Sequence, residues 1–425
     1  MLLPWKFINA AVYHASPLWS GAASPSSSLH PSSSSHLDQA RSILQTTPVL
    51  DGHWDLPMLI RWKFQNDVAR VPYNDSLPNN VDLPRIHKGG VGGFWSAAFV
   101  ICNTSQEGQD WLGTTNEVRD TLEQIDNAYQ LAAYFPESVA VTRTPREHRQ
   151  HVREGKVSHW ISIEGAHSLG NSLATLRMYA ELGVTSVALT HYCHNAFADS
   201  CSPPKARHGG LSELGHWLIA EMNRLGVAVD LSHSSTDTQL QAIEASEAPV
   251  YFSHSGAKGV YNHPRNIDDR VLDVLRTRKG QDTVVGIPFV SDFVHGTGGN
   301  SSLSDVADHA DYIAQRIGGR HRVALGSDFD GSNEFAVGLE DASKYPQLVA
   351  ELLRRGWTEQ EVRGLASENY LRVIEAVQRK GEEIRSRKGV QDRGDTRPWK
   401  GRKDCECWHV LRHDKNGSAD MLLVR

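Results

Sequence analysis

Short apolar runs rich in β-branched residues alternate with helical patterns along most of the chain, and this alternation restricts the fold more than any other feature. Repeated strand and helix units of this kind build a parallel sheet covered by helices. Eight strand candidates can be counted, at 48–51, 92–101, 160–163, 186–189, 228–231, 250–252, 284–288 and 322–325. Eight strands with intervening helices predict an α/β fold of the (β/α)8 or TIM barrel type.

Helical patterns separate most of these runs, at 115–134, 172–182, 212–225, 236–245 and 304–317. A doubly wound sheet is the alternative architecture, and it would need a glycine-rich phosphate loop that follows a strand and opens a helix. The glycine cluster at 89–93 precedes its strand instead. The barrel is therefore favoured.

The two ends of the chain differ in composition from its centre. Residues 16–35 are rich in Ser, Pro and Ala, and such a segment cannot bury enough apolar surface to offset the entropy of ordering. Charges, Gly and Pro are frequent after the last helical pattern. We expect a disordered leader or weak targeting segment at 1–36, one barrel domain at 37–378 and a polar tail at 379–425.

The charge balance points away from polyanionic partners. The chain carries 44 Lys and Arg against 50 Asp and Glu, a net charge of -6, so neither nucleic acid nor an anionic membrane is indicated. No apolar run reaches the roughly 18 residues of a transmembrane helix, and the apolar C-terminal residues are too few for a GPI signal. Asn9, His14 and Pro17 interrupt the apolar start, which disfavours a cleaved signal peptide. We expect a soluble protein, with a cytoplasmic location slightly favoured over secretion.

Side chains with metal-binding chemistry follow the strand candidates. His53 and Asp55 stand two residues apart after the first run, and residues i and i+2 of an extended chain project from the same face. Reactive groups of barrel enzymes stand at the carboxyl ends of the strands. One His, Glu or Asp follows five later runs, namely Glu164, His191, His233, His254 and Asp328. Any one of them alone could be a hydrogen-bonded strand-end residue, but together they predict one site.

This set combines imidazoles and carboxylates without a thiolate, which suits zinc or another borderline divalent ion. The ligands outnumber the three protein groups that hold one catalytic zinc, so two ions that share a carboxylate are predicted. Two cations on one water would lower its pKa enough to supply hydroxide near neutral pH. The pattern indicates a metal-dependent hydrolase.

These residues carry a resemblance to a known family. The chain is similar, over roughly 37–378, to the renal (membrane) dipeptidase family of zinc metallopeptidases, a branch of the amidohydrolase-like barrels. The motifs occur in family order, as Asp51-Gly-His-Trp-Asp-Leu-Pro57, Phe94-Trp-Ser96, Ile163-Glu-Gly-Ala-His167, Leu189-Thr-His191, Asp230-Leu-Ser-His233, Phe252-Ser-His-Ser255, Pro264-Arg-Asn266 and Asp328-Phe-Asp-Gly331. The leader and the tail have no counterpart in this pattern, and the resemblance suggests a fungal-type soluble member.

The resemblance implies a centre of two Zn2+ ions per chain, bridged by Glu164. His53 and Asp55 would complete the first metal site, and His233 and His254 would hold the second.

It also implies three roles in the reaction. Asp328 would orient the bridging water and take its proton, which requires hydrogen-bond reach of that water. His191 would stabilise the oxyanion of the tetrahedral intermediate. Arg265 would bind the terminal carboxylate of the substrate bidentately, which would favour dipeptides over longer chains.

The resemblance leaves several features open. Cys102 and Cys193 fall near the positions at which secreted members form a disulfide, so one bridge is compatible with the sequence. A homodimer is usual in the family, yet no motif in this chain demands it. The favoured function is hydrolysis of L-Xaa-Xaa dipeptides by a metal-bridged hydroxide, with Cys-Gly cleavage in glutathione-adduct or mycotoxin processing as one version. The alternatives are another binuclear-metal amidohydrolase, acting on a cyclic amide, lactone or β-lactam, and a non-catalytic scaffold member.

Overall fold

The protein is described here by a computed structural model that covers residues 33–102, 116–278, 282–295 and 301–388. Most of the predicted leader and most of the predicted tail lie outside the described residues. Among the described helices, none combines the length and apolar character that crossing a lipid bilayer requires.

The centre of the fold is a parallel sheet of nine strands. Nearly all strand residues are buried, as expected for a sheet covered on both faces. The strands are β1 (Val49–Trp54), β2 (Val91–Phe99), β3 (Val139–Thr142), β4 (Val157–Glu164), β5 (Val184–Ala188), β6 (Ala228–Asp230), β7 (Val250–Phe252), β8 (Thr283–Ile287) and β9 (Val323–Leu325).

Eight of these strands follow one another around a barrel in the order β1-β2-β4-β5-β6-β7-β8-β9. The first strand meets the segment after the last one, because Trp54 and Phe329 form a parallel bridge. The backbone N–H of Asp55 donates to Phe329 O at 2.9 Å, and that of Asp328 donates to His53 O at 3.1 Å. The predicted (β/α)8 architecture is confirmed.

Strand β3 was not predicted. It has four residues and pairs with the first half of β4, whereas β5 pairs with the second half. A run this short resembles a loop in the sequence, because its strand state depends on a partner that the local pattern does not reveal.

Helices cover the outside of the barrel and close one end of it. Two begin at the Ser residues that opened the predicted patterns, Ser172 and Ser212, and a third begins at Ser235, one residue before its pattern; each of these hydroxyls accepts a backbone N–H from the first turn. The helices are α1 (Ser33–Thr46), α2 (Leu56–Phe64), α3 (Leu83–Gly89), α4 (Asn116–Tyr134), α5 (Pro145–Arg153), α6 (Leu173–Glu181), α7 (Glu213–Leu225), α8 (Thr236–Ala245), α9 (Asp269–Thr277), α10 (Ser291–Val294), α11 (Leu303–Ile317), α12 (Tyr345–Arg354), α13 (Glu359–Arg363) and α14 (Asn369–Lys388).

Both predicted domain boundaries fall inside helices. Helix α1 begins at Ser33, within the predicted leader, and α14 continues to Lys388, ten residues beyond 378. The first charges of the predicted tail belong to the exposed side of this helix, where Glu383 pairs with Lys380 and Arg387. Ile384 on the same helix is buried.

Two apolar clusters stabilise this arrangement. The larger one lies between the strands and the surrounding helices. The smaller one draws residues from most strands of the barrel together with residues of α14, and includes Trp95, Trp160 and Tyr370. The Trp95 ring lies 5.1 Å from that of Trp160 and 5.2 Å from that of Tyr370. Helix α14 therefore closes the end of the barrel opposite the carboxyl ends of the strands.

Candidate metal centre

The residues predicted to form the site stand at the carboxyl end of the barrel. His53 lies near the end of β1 and Asp55 directly follows that strand, while Glu164 is the last residue of β4. The other predicted residues lie in the loops that begin at strand ends, and these are His191 after β5, His233 after β6, His254 and Arg265 after β7, and Asp328 after β9. Barrel closure brings all these ends to one mouth.

The four histidines point at one carboxylate oxygen. The distance from Glu164 Oε1 is 3.1 Å to Nε2 of His233 and 3.4 Å to Nε2 of His53. It is 3.6 Å to Nε2 of His254 and 3.8 Å to Nε2 of His191. One oxygen thus lies at the centre of four imidazoles from four different strand ends.

Two further contacts complete the cluster. Nε2 of His53 lies 3.2 Å from Asp55 Oδ2, and Nε2 of His233 lies 3.0 Å from Nε2 of His254. Asp55 and Asp328 form a group of potential ligands with His53, their ligand atoms lying within 4.8 Å of one another. By the same measure His191 groups with Glu164 and His233, so distance alone also admits His191 as a ligand.

Burial controls the charges in this cluster. It raises the pKa of Glu164 well above its usual range and that of Asp328 to about 7, and it lowers the pKa of His233 and His254 well below the usual imidazole value. Burial alone would also lower the pKa of His53, but the Glu164 and Asp55 carboxylates outweigh it and raise that pKa to about 10. A carboxylate-rich, water-poor pocket of this kind favours a cation.

The donor set fits a divalent metal. It offers the uncharged imidazole nitrogens of His233 and His254 and hard carboxylate oxygens, and the cluster contains no thiolate. Within the described residues, His53 Nε2 is buried and has no hydrogen-bond partner, although two carboxylates lie close to it. Two imidazole nitrogens that face each other at 3.0 Å are also explained by a shared cation.

The backbone adopts rare conformations beside these ligands. His233, Asp328 and Asp330 have left-handed φ values of 62°, 67° and 67°. Non-glycine residues in this region are strained, and such strain concentrates at functional sites. Gly331 has no room for a side chain, because a Cβ there would lie 2.3 Å from Asp55 Oδ2 and 2.5 Å from Asp328 Oδ1.

Arg265 lies beside the same cluster as a buried cation. Its side chain lies over the Phe293 ring at 5.1 Å, and its Nη2 donates to His254 O at 3.1 Å. Nε and Nη1 are buried without hydrogen-bond partners among the described residues. The structure therefore brings all eight predicted site residues into one region.

Two aromatic rings enclose His191. Phe99 packs against one side of its imidazole at 4.4 Å and Tyr192 against another at 4.3 Å. Nearby, Cys102 and Cys193 form a disulfide with a Cα separation of 5.9 Å, so the bridge that the sequence left open is present. The segment that follows β2 is thus covalently bonded to the loop that carries His191.

Several supporting residues were not singled out in the sequence. Both carboxylate oxygens of Asp51 accept the backbone N–H of Ser327, and Oδ2 accepts the Tyr345 hydroxyl at 2.7 Å. Asn80 and Asp330 exchange two hydrogen bonds of 3.0 Å that join a distant loop to the site. Asp51 and Asp330 belong to the same motifs as His53 and Asp328, which was the available signal.

Comparison with known proteins decides the family. The model of the membrane dipeptidase family, peptidase family M19, matches residues 37–388. The chain belongs to this family. The match includes the last ten residues of α14, which the sequence analysis had assigned to the tail.

Individual dipeptidases and a solved metallopeptidase structure agree with this assignment. Dipeptidase aclJ of Aspergillus oryzae is 40% identical over 351 residues, which span 81% of each chain. A dipeptidase of Schizosaccharomyces pombe is 38% identical, over 81% of this chain and 85% of that protein. The crystal structure of a metallopeptidase from Rhodobacter sphaeroides, liganded with a phosphinate mimic of the dipeptide L-Ala-D-Ala, superposes with a TM-score of 0.69 at 26% identity, covering 77% of this chain and 99% of that one. The protein is thus a metal-binding hydrolase of the dipeptidase class.

Proposed function

We propose that the protein is a zinc dipeptidase that hydrolyses the single amide bond of L-Xaa-Xaa dipeptides. The observation that carries this proposal is the convergence of four imidazoles on Glu164 Oε1, at 3.1 to 3.8 Å, beside a buried arginine with two unpaired donors. A non-catalytic scaffold has no need of this arrangement. Retention of every predicted ligand therefore favours the enzyme.

Two zinc ions per chain are proposed. His53, Asp55 and Glu164 would hold one ion, and Glu164, His233 and His254 would hold the other, while His191, whose Nε2 lies 3.8 Å from Glu164 Oε1, is left for the substrate. When bound, the ions would act as Lewis acids on the scissile carbonyl and lower the pKa of water. A glutamate at the shared position brings one negative charge to two cations, which would be lost in a Glu164→Gln variant.

Arg265 is proposed to bind the substrate's terminal carboxylate. Nη2 uses one of its two hydrogens on His254 O, and the free Nε and Nη1 lie on either side of it, so a carboxylate can accept bidentately from Nη2 together with one of these free donors. Because Arg265 also bonds to His254 O, its position is fixed relative to a metal ligand. The distance between a carboxylate bound by Arg265 and the metal cluster would then select peptides with one amide bond.

His191 and Asp328 are proposed to act on the amide itself. His191 is held between Phe99 and Tyr192, so its ring direction is fixed, and it would donate a hydrogen bond to the carbonyl oxygen as negative charge develops there. Asp328 would take the proton of the attacking water and return it to the leaving amine.

The test combines metal analysis with turnover. We expect two zinc ions per chain in the purified protein and release of free amino acids from a dipeptide panel, with N-acylated and C-amidated dipeptides, a lactone and a β-lactam as comparison substrates. Including Cys-Gly in the panel tests the glutathione-adduct version of the function, since preferred turnover of Cys-Gly would support it. Faster turnover of the lactone or β-lactam than of every dipeptide would refute the dipeptidase assignment.

Two variants separate ligands from reaction residues. Glu164→Gln is expected to lose metal and most turnover, whereas His191→Ala should keep both ions and lose kcat by about 100-fold to 1000-fold, the usual effect of removing an oxyanion donor. Loss of metal in His191→Ala would instead assign His191 as a ligand.

A further inference from the structure

Three buried side chains, those of Asp230, Ser253 and His254, form a hydrogen-bonded relay behind the metal cluster. Asp230 is the last residue of β6, and Ser253 and His254 directly follow β7. Ser253 Oγ donates to Asp230 Oδ2 at 2.5 Å and lies 2.8 Å from Nδ1 of His254. The exposed fractions of these residues are 4%, 1% and 0%, so water does not compete for these bonds.

The number of hydrogens on each group decides which atom donates in each hydrogen bond of this relay. Asp230 Oδ1 accepts the backbone N–H of Ser232 at 3.0 Å and of Ser253 at 2.9 Å, so the carboxylate acts as an acceptor on both oxygens. The Ser253 hydroxyl has one hydrogen, which the short contact assigns to Asp230 rather than to Ser232 Oγ at 3.3 Å. Its 2.8 Å contact with His254 is then a bond only if Nδ1 carries the hydrogen and donates.

The consequence appears on the other side of the imidazole ring. A neutral imidazole protonated at Nδ1 has a lone pair at Nε2. Nε2 of His254 faces Nε2 of His233 at 3.0 Å and Glu164 Oε1 at 3.6 Å. The relay thus leaves a free lone pair on His254 Nε2, the atom that points into the cluster.

We propose that Asp230 and Ser253 are positioning residues that hold His254 in the Nδ1-protonated tautomer and thereby set the affinity of the metal site formed by Glu164, His233 and His254. This inference rests on the proposed function, because it assumes that a metal binds at those three residues. It adds two residues to the centre that do not touch the metal themselves. Partners of metal-bound histidines typically change metal affinity by 10-fold to 100-fold when removed.

In the described part of the chain, His254 has a side-chain partner for its Nδ1, whereas His233 and His191 do not. Within the described residues, Nδ1 of His233 and Nδ1 of His191 are buried without hydrogen-bond partners. His233 is held instead by its backbone, since its carbonyl oxygen accepts the N–H of Cys201 at 2.8 Å. The relay should therefore affect one of the two proposed ions more than the other.

The first experiment measures zinc affinity by chelator competition on the zinc-loaded full chain. Ser253→Ala is expected to weaken one of the two ions by 10-fold to 100-fold and to leave the other unchanged. Ser255→Ala is the matched control, because Ser255 is equally buried and donates to Ser232 Oγ at 3.1 Å without contacting the His254 ring. This control should bind both ions as the wild type does.

Asp230→Asn tests the direction of the relay. The amide keeps an oxygen for the backbone donors but can present an N–H to Ser253 Oγ, which would turn the hydroxyl hydrogen towards His254 Nδ1 and move the ring hydrogen to Nε2. We expect zinc binding at least as weak as in Ser253→Ala. Two-bond nitrogen–proton NMR on the metal-free protein, labelled in the histidine ring nitrogens, should show His254 protonated at Nδ1 in the wild type and at Nε2 in Asp230→Asn.

The two proposals fail in different ways. Wild-type affinity for both ions in Ser253→Ala and Asp230→Asn, or an Nε2-protonated His254 in the wild-type protein, would overturn the relay while leaving the dipeptidase proposal intact. A wild-type protein that binds no zinc would refute the proposed metal centre, and the NMR measurement would still decide the tautomer. If a variant fails to fold, the wild-type spectrum alone provides the test.

Discussion

At the scale of the residue, Arg265 shows how a side chain can be unfavourable for folding and useful for binding. A buried guanidinium with unpaired donors costs free energy, because water can no longer satisfy them. Among the described residues, the Arg265 guanidinium keeps two such donors and makes one hydrogen bond, to His254 O, while packing on the Phe293 ring. A substrate carboxylate would supply a missing acceptor.

Replacement of this arginine should therefore affect substrate binding selectively. We expect Arg265→Gln to lower kcat/KM for a dipeptide by about 100-fold, chiefly by raising KM. The reason is that a charged bidentate contact is worth roughly 2–4 kcal/mol. The same variant should lower kcat/KM much less for the C-amidated dipeptide, which lacks the charge. Arg270→Gln is the control, because Arg270 is exposed and pairs with Asp268. Equal losses on both substrates would contradict carboxylate binding by Arg265.

At the scale of the element, α14 links the two ends of the barrel. Its Tyr370 hydroxyl donates to the backbone oxygen of Ser253 at 3.0 Å, and the Ser253 side chain contacts His254. Gly286 and Gly326 have no room for a side chain, because a Cβ at either would lie about 2 Å from the same oxygen, at 2.0 Å and 1.8 Å. The helix that fills the closed end thus supports the backbone beneath the site.

The last turns of α14 give a sharp test of the domain boundary. Ile384→Ala is expected to lower the free energy of unfolding by about 2–4 kcal/mol, because Ile384 is only 4% exposed and its removal leaves a cavity. Met178→Ala, at a residue that is 58% exposed, should change it by less than about 0.5 kcal/mol. Denaturant unfolding of both variants measures the difference. A neutral Ile384→Ala would mean that the folded domain ends near 378.

At the scale of the whole molecule, long-range ties hold the loops of the site. Cys102 and Cys193 are 91 residues apart in sequence, and their bond joins the segment that follows β2 to the loop after β5. A crosslink that closes a long loop stabilises a fold mainly by restricting the unfolded chain. The same bond limits the movement of the segment that carries His191 and Tyr192.

Loss of this disulfide should lower the free energy of unfolding more than loss of a free cysteine thiol. We expect Cys193→Ser to lower the free energy of unfolding by about 2–4 kcal/mol. Cys201→Ser provides the control, because Cys201 is the free cysteine among the described residues. Unfolding of the wild type with and without a reductant offers the same comparison without mutation. Equal stability of the two variants would contradict a structural role for the bond.

Buried neutral histidines predict that stability falls in mild acid. His309 accepts the Ala257 N–H at Nδ1 and contacts Val294 O through Nε2, and burial lowers its pKa to about 4 despite the nearby Asp305 and Asp308. Because the unfolded side chain titrates near 6.5, the unfolded state binds more protons between about pH 6.5 and 4, and stability decreases as pH falls through this window.

Removing this group should reduce the acid sensitivity. Between about pH 7 and 5 the wild type should lose about 2 kcal/mol more stability than His309→Gln, whose amide can keep both hydrogen bonds without titrating. The measurement is denaturant unfolding in the presence of a chelator, so that metal release does not contribute. Parallel pH profiles for the two proteins would show that His309 is not the cause.

The sequence by itself determined the fold class and the chemistry of the site. Eight strand candidates correspond to the eight strands of the barrel, because apolar periodicity reports the burial of each segment locally. The motif residues that follow these strands include all the side chains that meet at Glu164. Their types, imidazole and carboxylate, already indicated a metal, since the donor atoms that a side chain offers are set by its residue type.

Only the tertiary structure decided how those residues are held. Asp51 bonds to Ser327 across 276 residues, and Ser253 receives its partners from Asp230 and from Tyr370 on α14. The short β3, the buried end of α14 and the Cys102–Cys193 bond also depend on partners distant in the chain. Local periodicity does not encode such contacts, because they arise only when separate segments pack in three dimensions. The distances between the ligands, the tautomer of His254 and the unpaired donors of Arg265 are therefore set by the tertiary structure.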